Sequence, residues 1–161
     1  MKTHFTCFVL LAVFFSACSP QNTLKLNETI VKANEELKAG ADEFNKKFDT
    51  ISDFNYSNLE PGRQKIVDLI NKKLKEVSEL AAEMPGGEDF KNAFIEYYRF
   101  EKDIYETDYR EICTMKGSDD ALKLSQIALK MQDKSKKEDI LEKNIHKEQE
   151  SFAKKNGMKI Q

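Results

Sequence analysis

The stretch FKNAFIEYYRFEKDIYETDYREI, from Phe90 to Ile112, holds four of the chain's five tyrosines: Tyr97, Tyr98, Tyr105 and Tyr109. On a helix turning roughly 100° per residue, Glu101 and Asp108 fall in the same sector as Phe90, Phe94, Tyr97, Ile104 and Ile112. A bare charge on an apolar stripe is costly, so both carboxylates require a hydrogen bond or an opposite charge. In one reading Tyr97, Glu101, Tyr105 and Asp108 line a polar pocket for a cationic or sugar-like ligand. In the other, tyrosine hydroxyls, lysines of neighbouring helices or a wet seam satisfy the two acids, and the face is structural.

Other reactive residue types are sparse. Beyond His4, the one histidine is His146. A di-metal centre in a helical bundle takes Glu-x-x-His on two helices, whereas the residue three before His146 is Lys143. Glu142 lies four before it, which permits an i,i+4 contact and nothing more specific. No metal site and no cofactor are expected. Cys113 lies within a helical pattern with no histidine nearby in sequence and reads as a small core residue. The Gly-x-Ser-x-Gly turn, the phosphate-binding glycine loop, zinc-ligand spacing and the EF-hand loop are all missing from the sequence. An enzyme is not expected.

Cys18 is the remaining reactive side chain. Lys2 and the apolar run Phe5–Phe15 precede it, with Ser16 and Ala17 between. The run is too short for a bilayer span, which takes about 20 residues. A charged start, an apolar run and small residues at its end form the layout of a secretory signal peptide. An ordinary cut before Cys18 would place Phe15 at the −3 position, although a cut after Ser19 stays open. Phe15-Ser16-Ala17-Cys18 resembles the bacterial lipobox, with Phe where Leu is usual. The resemblance implies residues 1–17 as a lipoprotein signal peptide and Cys18 as the acylated new N-terminus. With Ser19 rather than Asp next, it also implies the outer membrane, leaving the leaflet open. Several acyl chains hold a protein on a membrane where one would not. Residues 18–23, with Pro20 and polar neighbours, read as lipidated Cys and tether.

The elements that would position these groups follow from periodicity. Leu26, Ile30, Ala33, Leu37, Ala41, Phe44, Phe48 and Ile51 recur at gaps of three and four and draw one stripe down a first helix over about 24–48. After a polar loop, Pro61 opens a second helix carrying Val67, Ile70, Leu74, Val77, Ala81 and Met84. Pro85-Gly86-Gly87 stops it. A third helix runs over about 88–115. A fourth, about 119–155, bears Leu122, Leu124, Ile127, Ala128 and Met131, loses its stripe over 133–139, and resumes at Leu141, Ile145 and Phe152. The expected fold is all-α: an antiparallel four-helix up-down-up-down bundle over 24–155, with a tail at 156–161. The fourth helix is expected to continue through its charged interlude.

Composition sets the outer limits. The 161 residues hold 26 Lys+Arg against 28 Asp+Glu, no Trp, six Gly and three Pro. Near-balanced charge argues against a nucleic-acid binder. With Cys7 in the leader and Cys18 acylated, Cys113 has no intrachain disulfide partner, so the fold must rest on its core.

With its lipobox, its Asn-bearing first helix and GGEDFKNAFIEYYRFEKDIYETDY, the chain resembles small uncharacterised helical surface lipoproteins of Bacteroidota and of spirochaetes such as Leptospira. The resemblance implies a bacterial cell-envelope protein of helical fold with no assigned catalytic residues. It assigns no site residues. The expected role is that of a non-catalytic bundle, held to the membrane through lipid on Cys18, that binds an unknown protein partner.

Overall fold

The structure is a computed structural model that describes residues 13–14, 21–117 and 120–160. Cys18 and most of the expected signal peptide lie outside these residues. Among the described residues the chain is all-α, with four long helices: α1 (Gln21–Phe48), α2 (Glu60–Ser78), α3 (Gly87–Ile104) and α4 (Ala121–Lys155). A π-helical turn, Tyr105–Tyr109, and a last α-helical turn, Arg110–Ile112, prolong α3 without a break. A two-residue antiparallel pairing sets Val13–Phe14 against Lys159–Ile160.

The stripe on α1 packs as its spacing predicts: Leu26 and Ile30 are fully enclosed, and Phe44 and Phe48 continue the line. Lys46 and Lys47 occupy its last turn, where positive charge meets the negative end of the helix dipole. Pro61 sits in the first turn of α2, where its missing N–H costs nothing. Ile70 and Val77 are buried below it.

Contacts between successive helices run in opposite senses. Glu43 and Glu36 of α1 meet Lys65 and Lys73 of α2. Arg63 and Leu80, at and beyond the two ends of α2, meet Tyr105 and Lys91. Phe90 and Asp108 meet Phe152 and Lys134 of α4. α3 touches all three other helices. At one end, Phe44 stands edge-on to Tyr105 and Tyr109, at 5.7 and 5.0 Å between ring centroids. Such pairs are worth about 0.5–1.5 kcal/mol beyond their burial.

Two boundaries and one residue of the α4 stripe depart from the reading of the sequence. α1 starts at Gln21 and buries Thr23, so the tether over 18–23 loses its last three residues to the helix. α2 ends at Ser78, not Met84. Beyond it the backbone turns back over the start of α3: Lys91 donates to the Leu80 carbonyl, the Gly87 N–H donates to Met84, and Ala82 is buried while Ala81 is exposed. Leu122, counted in the α4 stripe, is 73% exposed. α4 itself passes through residues 133–139 as one helix. The tail is tied in at its start, because Met158 is buried and its N–H donates to the Ala153 carbonyl.

The turn into α3 depends on two glycines. Gly86 holds a left-handed φ of 77°, which costs glycine little and other residues strain. A Cβ on Gly87 would stand 2.6 Å from the Ala82 carbonyl oxygen, a backbone atom that cannot step aside. Gly87→Ala is therefore expected to destabilise the protein by about 1–3 kcal/mol. Gly117→Ala, with nothing within 4 Å of its added Cβ, should leave the thermal midpoint nearly unmoved. Equal midpoints for the two variants would refute this account of the turn.

Candidate functional site

Tyr97, Glu101, Tyr105 and Asp108 are brought together along the inner side of α3 and its π-helical extension. All four are enclosed, Glu101 at 2% and Asp108 at 5% exposure. Tyr105 and Asp108 belong to the π-helical turn, a wider coil that recurs at functional sites and disturbs the regular helix ladder. Side chains bond the backbone carbonyls here. Thr107 Oγ1 donates to the Asp103 carbonyl at 2.7 Å, and Arg63 Nη1 donates to the Tyr105 carbonyl at 3.2 Å.

Arg63 reaches Tyr105 from α2 while buried at 4% exposure. Glu60 holds its guanidinium with two hydrogen bonds, at 2.7 Å to Nε and 2.6 Å to Nη2. This forked geometry is the stronger form of the pair. Its charge draws the Glu60 carboxyl below the ordinary range. The Cys113 thiol also hydrogen-bonds Glu60, and burial with that negative neighbour pushes it up to about 12. A thiol held protonated is a poor nucleophile.

The two acids of the stripe are treated differently. Lys134 of α4 grips Asp108 at 2.6 Å and Asp103 at 2.9 Å. Glu101 has no such cation. Its Oε1 is fully enclosed and makes no hydrogen bond among the described residues, and the same holds for the Tyr105 hydroxyl. Burial raises the Glu101 carboxyl well above the ordinary glutamate range, and the neighbouring charges of Glu138 and Glu142 on α4 raise it further. Burial likewise raises the Tyr97, Tyr98 and Tyr105 hydroxyls above the usual tyrosine value. The Tyr98 hydroxyl donates to Asn34 Oδ1 of α1, and Gln149 Nε2 of α4 donates to Asn27 Oδ1 at 3.4 Å.

This arrangement encloses the Glu101 carboxyl inside the α3–α4 seam, where burial and the charges of Glu138 and Glu142 favour its protonated form. The accessible space lies elsewhere. An open groove of about 750 Å³ runs between α3 and α4, with Ile95, Phe100 and Leu141 as its apolar lining and Arg99, Lys134 and Lys137 as its cations. Lys137 Nζ stands 5.1 Å from the centre of the Phe100 ring. None of Tyr97, Glu101 and Tyr105 lines this groove. Asp108 adjoins it only through Lys134. Among the described residues, no group of three or more His, Cys, Asp or Glu is placed to hold a metal ion.

Sequence reasoning passed over several buried polar groups. Asn27 and Asn34 sit seven residues apart on the apolar stripe of α1, a signal that a helical wheel carries. Arg63 and Lys73 had no such mark. Lys73 is 5% exposed because Glu36 and Glu76 meet it at 2.7 and 3.0 Å. Comparison of the chain with family models, with curated proteins and with solved structures gives no match.

A raised folded-state pKa at Glu101 gives stability of definite sign. The folded chain binds this proton more tightly than the unfolded chain. The contribution is therefore fully present below the ordinary glutamate value of about 4.3 and is lost as pH rises through the folded value. Glu36 and Glu60, whose carboxyls are drawn down by Lys73 and Arg63, act oppositely at the acid end. Glu101→Gln should flatten the decline on the alkaline side and raise stability at pH 7 by about 1–3 kcal/mol. Thermal midpoints measured from pH 4 to pH 9 test this, and parallel curves for the two proteins would refute it.

Proposed function

We propose that the chain is a lipid-anchored bacterial envelope protein, a non-catalytic four-helix up-down-up-down bundle that presents its outer faces to a partner. The observation that carries this reading is the lipobox-like Phe15-Ser16-Ala17-Cys18 set just ahead of a helix that starts at Gln21. Once Cys18 is the acylated N-terminus, only Ser19 and Pro20 separate the lipid from α1, so the bundle stands close to the bilayer. No helix among the described residues is long and apolar enough to cross a membrane, and in this reading the attachment is Cys18. Cleavage there also removes Val13–Phe14, and Lys159–Ile160 then lacks that pairing.

The opposed contacts along α1–α2, α2–α3 and α3–α4 support the up-down order. A non-catalytic role is supported by the inert thiol of Cys113 and by the enclosure of Tyr97, Glu101, Tyr105 and Asp108. A ligand reading of that face has weaker support, because the groove beside it is lined by other residues.

In a bacterial host with lipoprotein processing, Cys18→Ala is expected to abolish incorporation of an alkynyl fatty acid and to leave the precursor at its full mass. Undiminished labelling of the variant would overturn the assignment of Cys18.

A further inference from the structure

The side of α4 turned away from α3 is neither polar throughout nor covered. Leu122 (73% exposed), Leu129 (65%) and Ile140 (67%) all stand on it. Leu122 and Ile140 are 18 residues apart, five whole turns at about 100° per residue, and Leu129 falls within about 20° of the line between them. The same arc, about 80° wide, carries Lys136, Lys143, Lys147 and Lys154 against a single acid, Asp133. Asp133 pairs with Lys136 at 2.9 Å and Glu148 with Lys147 at 3.0 Å. Pairs whose lysines are this exposed are worth little and exchange readily for other partners. The chain as a whole carries a formal charge of −2, so this basic arc is a local concentration.

We propose that this face of α4 docks on an anionic lipid surface, with Leu122, Leu129 and Ile140 entering the headgroup region and the lysines meeting its phosphates. The inference rests on the anchored reading above. Exposed apolar residues interleaved with lysines along one helix are what an interfacial helix presents to anionic lipid. A second copy fits poorly, because pairing two such faces sets lysine against lysine. The arc from Leu122 to Lys154 spans about 48 Å at 1.5 Å per residue, a long straight contact suited to a flat surface. Its basic end also lies beside the start of α1, where Gln149 meets Asn27, and α1 begins three residues after Cys18.

The sequence contains no tryptophan, so Ile140→Trp supplies a single fluorescent reporter in the full chain. It would be measured on vesicles of phosphatidylcholine alone and of phosphatidylcholine mixed with phosphatidylglycerol, with brominated lipid as the quencher. Gln64→Trp, on an exposed position of α2, is the control. The expected result is quenching of the residue 140 reporter on the anionic vesicles only, lost at about 0.5 M salt, with the residue 64 reporter unquenched throughout. Adding Lys143→Gln and Lys147→Gln should lower the docked-to-undocked ratio about 30-fold, at a factor of about five per lysine. An unquenched residue 140 reporter on both vesicles, equal quenching on both, or vesicle-independent shielding by a second copy or an acidic protein would each overturn the proposal. Failure of the anchored reading shows separately, as a chain that does not stay on neutral vesicles at all.

Discussion

A helix touched by three others must bury most of its circumference, and α3 is in that position. Its apolar residues cover only part of the surface that α1, α2 and α4 close over. Tyrosines and carboxyls occupy the rest, and each then has to be met from another helix or kept neutral. Asn34 meets Tyr98, Lys134 meets Asp108, and Arg63 meets the carbonyl of Tyr105. Among the described residues Glu101 meets no cation, and burial raises its carboxyl well above the ordinary glutamate range. The positions of α1, α2 and α4 around α3 are thereby fixed by hydrogen-bond geometry as well as by non-directional apolar packing.

Arg63 illustrates how these constraints interlock. A helical carbonyl keeps a second lone pair, and the buried Arg63 guanidinium uses the one at Tyr105. The π-helical turn supplies an acceptor at Tyr105, Glu60 balances the charge, and Cys113 contributes a thiol that stays protonated at the edge of the pair. Removing Glu60 leaves the buried Arg63 guanidinium without its counter-charge, which costs more than the bond itself.

How far this could be read from the residues follows from what each feature depends on. The stripe on α1 and the enclosed Phe90, Phe94 and Tyr97 on α3 depend only on local spacing, and spacing placed them. The convergence of Tyr97, Glu101, Tyr105 and Asp108 on one side followed from the same arithmetic. The arithmetic could not say which acid would find a lysine, because Lys134 and Asp108 lie 26 residues apart and meet only after α4 folds back. It also carried α2 on to Met84, since Ala81 and Met84 keep the period. The early stop at Ser78 depends on backbone contacts with the start of α3, which no single-helix pattern records. The π-helical turn left no trace in composition at all.

The seam between α3 and α4 is unevenly fastened along its length. Toward the C-terminus Leu141, Ile145, Phe152 and Ala153 are all buried, whereas from Ala121 to Lys137 only Ile127 is. Between the two lies the polar layer of Lys134, Glu101 and Glu138. A joint made this way unzips from one end. Pulling, a protease or a competing surface would peel α4 from residue 121 onward, and the polar layer would be the catch at which the peeling halts.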